Sequence, residues 1–289
     1  MSNLQKDSGV LYVVATPIGN LLDISARALE VLRKVVLIAA EDTRHSRKLL
    51  AHYGIGTPLL ALHEHNEREV TEKLLRRLAA GEDIALVSDA GTPLISDPGF
   101  YLVRAARQAR LRVVPVPGAS ALIAALSVAG LPSDRFMFEG FLPSRQAARR
   151  QRLETLAAAT ATLVFYESSH RICDSLRDMA DCLGGTREAT VARELTKTFE
   201  TLMHDTLDGL VQQVEADADQ QKGEFVVLVA GAPARERSAI DEATVQMLEV
   251  LLSELPLKQA AGLVARITGV SRNALYEQGL KIKESRKGA

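Results

Sequence analysis

The feature that most constrains this chain is a regular alternation over its first 130 residues: short apolar runs trade places with segments of helical length. The apolar runs are Val10–Ala15, Val35–Ala40, Pro58–Leu62, Ile84–Ser88 and Arg112–Val116. Between them, Ser25 is placed to cap a helix through Leu32, and helices are expected over Thr43–His52, Glu67–Ala80, Pro98–Ala109 and Ala119–Ala129. Gly81 and Gly130 close two of these helices. Strands that read as continuous apolar runs are buried on both faces, so the pattern predicts a largely parallel sheet covered by helices. Crossovers in such sheets are right-handed and gather the loops after the strands along one edge, where ligands of open α/β sheets bind.

The alternation changes further along. Pro132–Arg145 reads as a bridge to a second domain, followed by a helix near Ala147–Ala158, a strand at Thr162–Glu167 and a helix over Ser169–Leu183. Two strands then run consecutively, Glu188–Arg193 and Glu200–His204, before a helix at Leu207–Ala216 and a last strand at Phe225–Ala230. Consecutive strands predict a mixed sheet. After Gly231-Ala232-Pro233 the chain turns charged and helical, with helices over Asp241–Leu255, Leu257–Thr268 and, past Gly269, Ser271–Lys283. The last two are compatible with a helix-turn-helix and equally with two short packed helices. The expected organisation is an α/β domain over 10–131, a second over 132–232 and a helical extension over 233–289, with no repeat between the halves.

Composition narrows the function. There is no tryptophan and aromatics make up 4%, which argues against an RNA-binding sheet built on stacked rings. Cys173 and Cys182 are too few for a disulfide framework or a cysteine zinc site and read as reduced thiols. The polar start MSNLQKDSG lacks an apolar signal core and no window approaches a membrane span, so a cytoplasmic protein without a membrane association is expected. A net charge of −1 conceals basic patches: Arg145, Arg149, Arg150 and Arg152 stand together without an acid, and seven Lys/Arg face two Glu after Pro256. Local potential is what a polyanion responds to, although a solvated helix face gives the same pattern.

Several signatures of chemistry are missing, including Gly-x-Gly-x-x-Gly, a phosphate-binding Walker loop, Gly-x-Ser-x-Gly and His-Glu-x-x-His. His63 and His65 share a strand face but lack further ligands, so no metal is expected. What stands out is the density of glycine and proline after the fourth and fifth apolar runs, in Ser88-Asp89-Ala90-Gly91-Thr92-Pro93 with Ser96-Asp97-Pro98-Gly99, and in Pro115–Ala121. A third such loop follows the first run, at Pro17–Asn20. Such loops expose backbone donors and acceptors to a ligand without intervening side chains.

These loops also carry a family resemblance. Ala15–Asn20, Ala40–Arg44, Ser88–Pro93, Pro115–Ala121, Tyr166–Arg171 and Ala192–Lys197 stand in the order seen in the tetrapyrrole methylase superfamily. Within it the chain resembles the branch that methylates ribose 2′-hydroxyls of small-subunit (16S) ribosomal RNA. The resemblance covers about residues 10–231 and continues into the Leu257–Lys283 tail. One departure is notable: the corrin and sirohaem enzymes usually carry Gly-Asp-Pro where this chain has Ser88–Pro93.

The resemblance implies S-adenosylmethionine bound in a cleft between two α/β domains, a decoding-region cytidine as acceptor, small-subunit rRNA or the assembled subunit as partner, and a homodimer. Cofactor contacts would fall on Pro17, Gly19, Asn20, Ser88, Asp89, Ala90, Gly91, Thr92, Ser120, Ala121, Tyr166 and Ala192. Asp89 would bind the ribose or the amine, and Tyr166 and Ala192 would enclose the adenine. A general base would come from Asp42, Asp97, Glu167 or Glu194, each in a family-like motif. Arginine or lysine near Asp42, Glu167 and Glu194 also fits structural ion pairs, and transfer without a dedicated base stays open. RNA contacts would fall on Arg44, Arg47, Lys48, Arg145, Arg149, Arg150 and Arg272. Two other readings remain: a methyltransferase acting on a small tetrapyrrole, and an RNA-binding protein of this fold without catalysis.

Overall fold

The computed structural model describes residues 8–63, 65–233 and 240–287. Two compact units divide the chain at Ala232/Pro233, and the first carries two five-stranded sheets. In the first sheet β1 (Val10–Val14), β2 (Leu37–Ala40), β3 (Leu59–Ala61), β4 (Ile84–Val87) and β5 (Arg112–Val116) lie in the order β3-β2-β4-β1-β5. Every pairing in it is parallel.

The two-residue strand period explains the double cover. Leu37, Ala39, Ile84 and Leu86 enter one core with Leu74 and Leu78 of α3 (Glu67–Ala79) and Leu102 and Ala106 of α4 (Phe100–Gln108). Their neighbours Ile38, Ala40, Ala85 and Val87 enter the opposite core with Leu32 of α1 (Ala26–Lys34) and Leu50 of α2 (Thr43–His52). The cap expected at Ser25 is present, its hydroxyl accepting from Ala28 N–H at 3.1 Å. The helix expected from Pro98 starts two residues later. Gly99, at φ 122°, turns the chain, and the buried Glu67 carboxylate gathers the N–H groups of Gly99, Tyr101 and Leu102.

The second sheet is mixed. It runs β6-β7-β10-β8-β9, formed by β6 (Phe136–Phe141), β7 (Thr162–Ser168), β8 (Glu188–Arg193), β9 (Thr201–Thr206) and β10 (Glu224–Val229). Only β6 and β7 pair in parallel. Strand β6 corrects the reading of Pro132–Arg145 as a mere bridge; it is an edge strand, largely exposed, whose register breaks between Phe138 and Gly140. One face packs on α6 (Gln146–Leu156), α7 (Ile172–Leu183) and α8 (Leu207–Ala216) through Leu153, Leu176, Val191, Leu210 and Val227. The other face is covered by α5 (Ala121–Val128), the last helix before the boundary expected at 131/132: Leu122, Ala125 and Leu126 pack on Val164, Ala192, Val226 and Leu228.

The second unit contains α9 (Glu242–Glu254), α10 (Leu257–Thr268) and α11 (Arg272–Lys287). They close on Leu248, Leu252, Leu257, Ala260, Val264 and Leu275, and Gly269 ends α10 in the left-handed conformation expected of a glycine stop. Among the described residues Cys173 and Cys182 are free thiols, and no helix is long and apolar enough to cross a membrane.

Candidate functional site

The loops after β1, β4 and β5 are joined into one structure. Thr16 and Gly91 exchange both backbone hydrogen bonds, at 2.8 and 3.1 Å, and the Thr16 hydroxyl reaches Ser88 O at 3.3 Å. Thr92 Oγ1 donates to Ala119 O at 3.0 Å, which ties in the loop after β5. Gly91 sits at φ 79°, where a side chain would be strained and its Cβ would stand 3.3 Å from Ile18.

Opposite this edge stands the second sheet, and between the two lies a cavity of about 460 Å³. Its floor on the first side comes from Ile18, Glu41, Asp89–Thr92, Ile95–Asp97, Ser120 and Ala121. The second side supplies Tyr166–Ser169, Ala192, Leu195, Lys197 and Gly223–Val226, with Phe141 at the rim. Of the expected cofactor contacts, Asp89, Ala90, Gly91, Thr92, Ser120, Ala121, Tyr166 and Ala192 line it. Tyr166 is fixed there by its hydroxyl, which accepts from Leu122 N–H at 3.2 Å, and by edge contacts with Phe138 and Phe141. Burial pushes its phenol above the ordinary value.

Other expected contacts sit behind this wall. Ser88 is buried beneath the loop. Pro17 is also buried, and Gly19 and Asn20 face the second lobe instead: Asn20 N–H donates to Thr196 Oγ1 at 3.1 Å, and Gly19 packs on Thr196 and Lys197. From that loop it is Ile18 that reaches the cavity. Ile95, Phe141 and the 223–226 stretch were not anticipated, whereas Ile18, Glu41, Ser96, Ser168, Ser169, Leu195 and Lys197 lay in the motifs above without being named as contacts.

The four candidate carboxylates differ sharply. Asp42 caps α2, accepting from Arg44 N–H at 2.8 Å and from its guanidinium at 2.7 Å, and these bonds hold it well below the usual carboxylate range. Glu167 is buried; its two oxygens accept from Ser168 N–H and the Ser175 hydroxyl, with Arg171 at 3.3 Å. Burial would raise Glu194, but bonds from Lys197 Nζ and Glu224 N–H, both at 2.9 Å, bring it below its ordinary value. Asp97 lines the cavity and is shifted upward, first by burial, which outweighs the lowering effect of the Ser88 hydroxyl, and further by repulsion from Asp89. Asp89 itself accepts from Asp42 N–H at 3.0 Å, which couples β4's loop to β2's.

The expected RNA contacts also separate. Arg47, Lys48, Arg145 and Arg272 are exposed. Arg44 is exposed but engaged with Asp42, and Arg150 bridges Asp178 and Asp181. Arg149 is a correction: its side chain is 4% exposed and grips buried Asp178 at 2.7 Å. It falls on the buried face of α6 with Leu153 and Leu156, one helical turn apart, and so has no access to RNA. In the second unit Lys258, Arg266 and Arg272 line a shallow open groove between α10 and α11. No cluster of three metal-ligating side chains occurs among the described residues.

Residues 10–211 match the Tetrapyrrole (Corrin/Porphyrin) Methylases, and residues 238–283 match the RsmI C-terminal HTH domain. A solved uroporphyrin-III C-methyl transferase from Thermus thermophilus, complexed with S-adenosyl homocysteine, covers 76% of this chain and 97% of its own at TM-score 0.53 and 18% identity. The methyltransferase CobJ covers 78% and 95% at TM-score 0.58 and 20% identity. At that identity the likeness concerns the fold. Sequence relatives are much nearer. Ribosomal RNA small subunit methyltransferase I of Pseudomonas aeruginosa is 61% identical, covering 95% of this chain and 98% of its own length. Its counterpart in Escherichia coli O157:H7 is 54% identical, covering 94% and 95%. With two lobes, a loop-built cleft and a helical second unit matched along nearly its whole length, the chain belongs to the tetrapyrrole methylase family and, within it, to the ribosomal RNA small subunit methyltransferase I group.

Proposed function

We propose that this protein transfers a methyl group from S-adenosylmethionine to the ribose 2′-hydroxyl of a cytidine in the decoding region of 16S ribosomal RNA. The observation that carries the reading is the cleft at the carboxyl edge of the parallel sheet, where backbone loops and carboxylates face an apolar wall. That donor set suits a cationic nucleoside. Its volume of about 460 Å³ lies in the range of small-molecule sites. Ile18, Ala121, Ala192, Leu195 and Val226 offer apolar surface for an adenine, beside Tyr166. Asp89 and the backbone of Ala90–Thr92 offer partners for ribose and amine groups, and Ser120 and Ala121 sit at the start of α5, where N–H groups are free of helical partners. When bound, the donor supplies an activated methyl group on a sulfonium.

The protein's task is then alignment, worth up to ~7–11 kcal/mol in well-oriented reactions. The loops after β1, β4 and β5 suit it because they are bonded to one another. Asp97 is the carboxylate we place as acceptor of the hydroxyl proton, since it lines the cavity without a salt bridge among the described residues, whereas Asp42, Glu167 and Glu194 are each held by a cation. Arg47, Lys48 and Arg145 in the first unit, and Lys258, Arg266 and Arg272 in the second, would hold phosphates and make binding fall with salt. A homodimer belongs to the same reading and is supported by exposed Phe199 and Leu202 beside the open edge of β9. Free Cys173 and Cys182 suit a cytoplasmic location.

The test is transfer of labelled methyl from S-adenosylmethionine to small ribosomal subunits purified without the modification, followed by mapping of the nucleotide. Incorporation at a cytidine ribose is expected; incorporation into a base, or into tetrapyrroles but not subunits, would overturn the reading.

A further inference from the structure

The cleft carries more negative charge than binding a nucleoside requires. From the first lobe Glu41, Asp89 and Asp97 line it; from the second come Tyr166, Glu167, Lys197 and Glu224. Most of these are committed elsewhere. Lys197 bridges Glu194 and Glu224 at 2.9 and 2.8 Å, and Glu167 is bonded to Ser168, Ser175 and Arg171. The Tyr166 hydroxyl accepts from Leu122, and Glu41 Oε2 stands 3.5 Å from Asp89 N–H. Asp89 accepts from Asp42 N–H at 3.0 Å with Arg44 in its field, and Asp97 has the Ser88 hydroxyl beside it, but neither forms a salt bridge among the described residues. The two carboxyl groups line one cavity close enough to repel one another, with Lys197 neutralised on the far side.

Resting on the donor assignment above, we propose that Asp89 and Asp97 form a charge-compensating pair, which favours the cationic donor over its demethylated product and in which Asp97 takes the acceptor's proton as the donor's positive charge disappears. The acceptor oxygen forms its bond to the methyl carbon, the carbon–sulfur bond breaks with its electron pair returning to sulfur, and the hydroxyl proton passes to Asp97. Before transfer the cleft holds one sulfonium charge and two carboxylates; afterwards it holds a neutral thioether, one carboxylate and one carboxylic acid. The net charge is conserved, so transfer separates no charge in a partly buried cleft. The sulfonium, while present, keeps Asp97 ionised as an acceptor, and its loss raises the proton affinity at the step that needs it. Product release benefits too, because the thioether lacks the charge that the pair attracts.

Calorimetry on the full chain tests this without turnover. S-adenosylmethionine and S-adenosylhomocysteine are titrated separately between about pH 4 and pH 7, where the α-amino groups of both remain protonated. Two buffers of different ionisation enthalpy report protons released on binding. Donor affinity is expected to weaken by up to about tenfold per pH unit below the Asp97 pKa, with proton release, while product affinity stays nearly level. Asp97→Asn, checked for an unchanged melting temperature, should remove the proton release and the pH dependence of donor binding. Parallel pH profiles for the two molecules, or donor-linked proton release that survives in Asp97→Asn, would overturn the proposal. The wild-type measurement decides even if the variant does not fold. If neither molecule binds the wild-type chain, the donor assignment falls, and the pair's role with it.

Discussion

Arg149 offers the clearest division between a nucleic-acid contact and a structural charge. Arg149→Ala removes a guanidinium whose Nε lies 2.7 Å from Asp178 Oδ2, in a pair whose side chains are 4% and 2% exposed. Breaking a buried pair by deleting one partner costs about 3–5 kcal/mol, mostly from the charge left behind. Here Arg150 Nη1 and Gln146 Nε2 still donate to Oδ1, at 3.1 and 3.2 Å, so one oxygen rather than the whole carboxylate is orphaned. The lower end, about 3 kcal/mol, is the expected loss, equivalent to about 6–12 °C in melting temperature for a unit of this size. Burial alone would raise the Asp178 pKa, but the bonds from Arg149, Gln146 and Arg150 bring it below the ordinary value. Its stabilisation is therefore complete above the unfolded aspartate pKa, about 3.9, and disappears as pH falls through the depressed folded value. Thermal denaturation at neutral pH, paired with RNA binding across a salt series, gives the assay. Arg149→Ala should melt early and keep the wild-type salt slope, whereas Arg145→Ala, on the exposed start of α6, should melt normally and lose about 0.7 from the slope for each single-strand phosphate contact. An Arg149→Ala variant that melts like wild type and has a shallower salt slope would refute the buried-pair account.

Three further outcomes are expected. Asp89→Ala should weaken S-adenosylmethionine binding by at least about tenfold, the loss of one charge-assisted hydrogen bond, and an unchanged calorimetric affinity would remove Asp89 from the site. Glu67→Ala strips three backbone N–H groups at the start of α4 of their acceptor and should destabilise the protein by about 3 kcal/mol; chemical denaturation showing less than about 1 kcal/mol would mean that the helix start finds another partner. Deleting residues 235–289, the second unit, should leave donor affinity intact while sharply lowering methylation of ribosomal subunits, and full retained activity would exclude this unit from acceptor recognition.

The parallel sheet was legible because each strand is a short apolar run and each crossover helix has a cap or a glycine stop, as at Ser25 and Gly81. The three ligand loops were legible for the same local reason, since glycine and proline mark a strand end wherever it lies in space. Strand β6 escaped because it is an exposed edge, bulged at Gly140, whose apolar residues do not alternate cleanly. Part of the second wall of the cleft escaped for a different reason. Gly223–Val226 reach it through the pairing of β10 with both β7 and β8, a non-local register that no short segment announces, whereas Tyr166 and Ala192 on the same wall stood in short motifs. Arg149 shows the limit of reading charge alone. Its four-residue step to Leu153 signals a buried face, yet the run of arginines around it suggested solvent.

Among the described residues, four of the five non-glycine residues with positive φ flank the cleft: Leu94 and Ser96 in the loop after β4, Glu194 and Thr196 in the turn after β8. Each such residue costs roughly 1–3 kcal/mol and persists only where the surroundings insist on it. The protein thus gives up thermal robustness at this one place to hold the opposing rims in shape. Selection for heat tolerance would find easy gains there by substituting glycine, and those gains would loosen the rims that align donor and acceptor. Thermostable descendants that kept full activity would have to draw their stability from elsewhere, such as the helical faces far from the cleft.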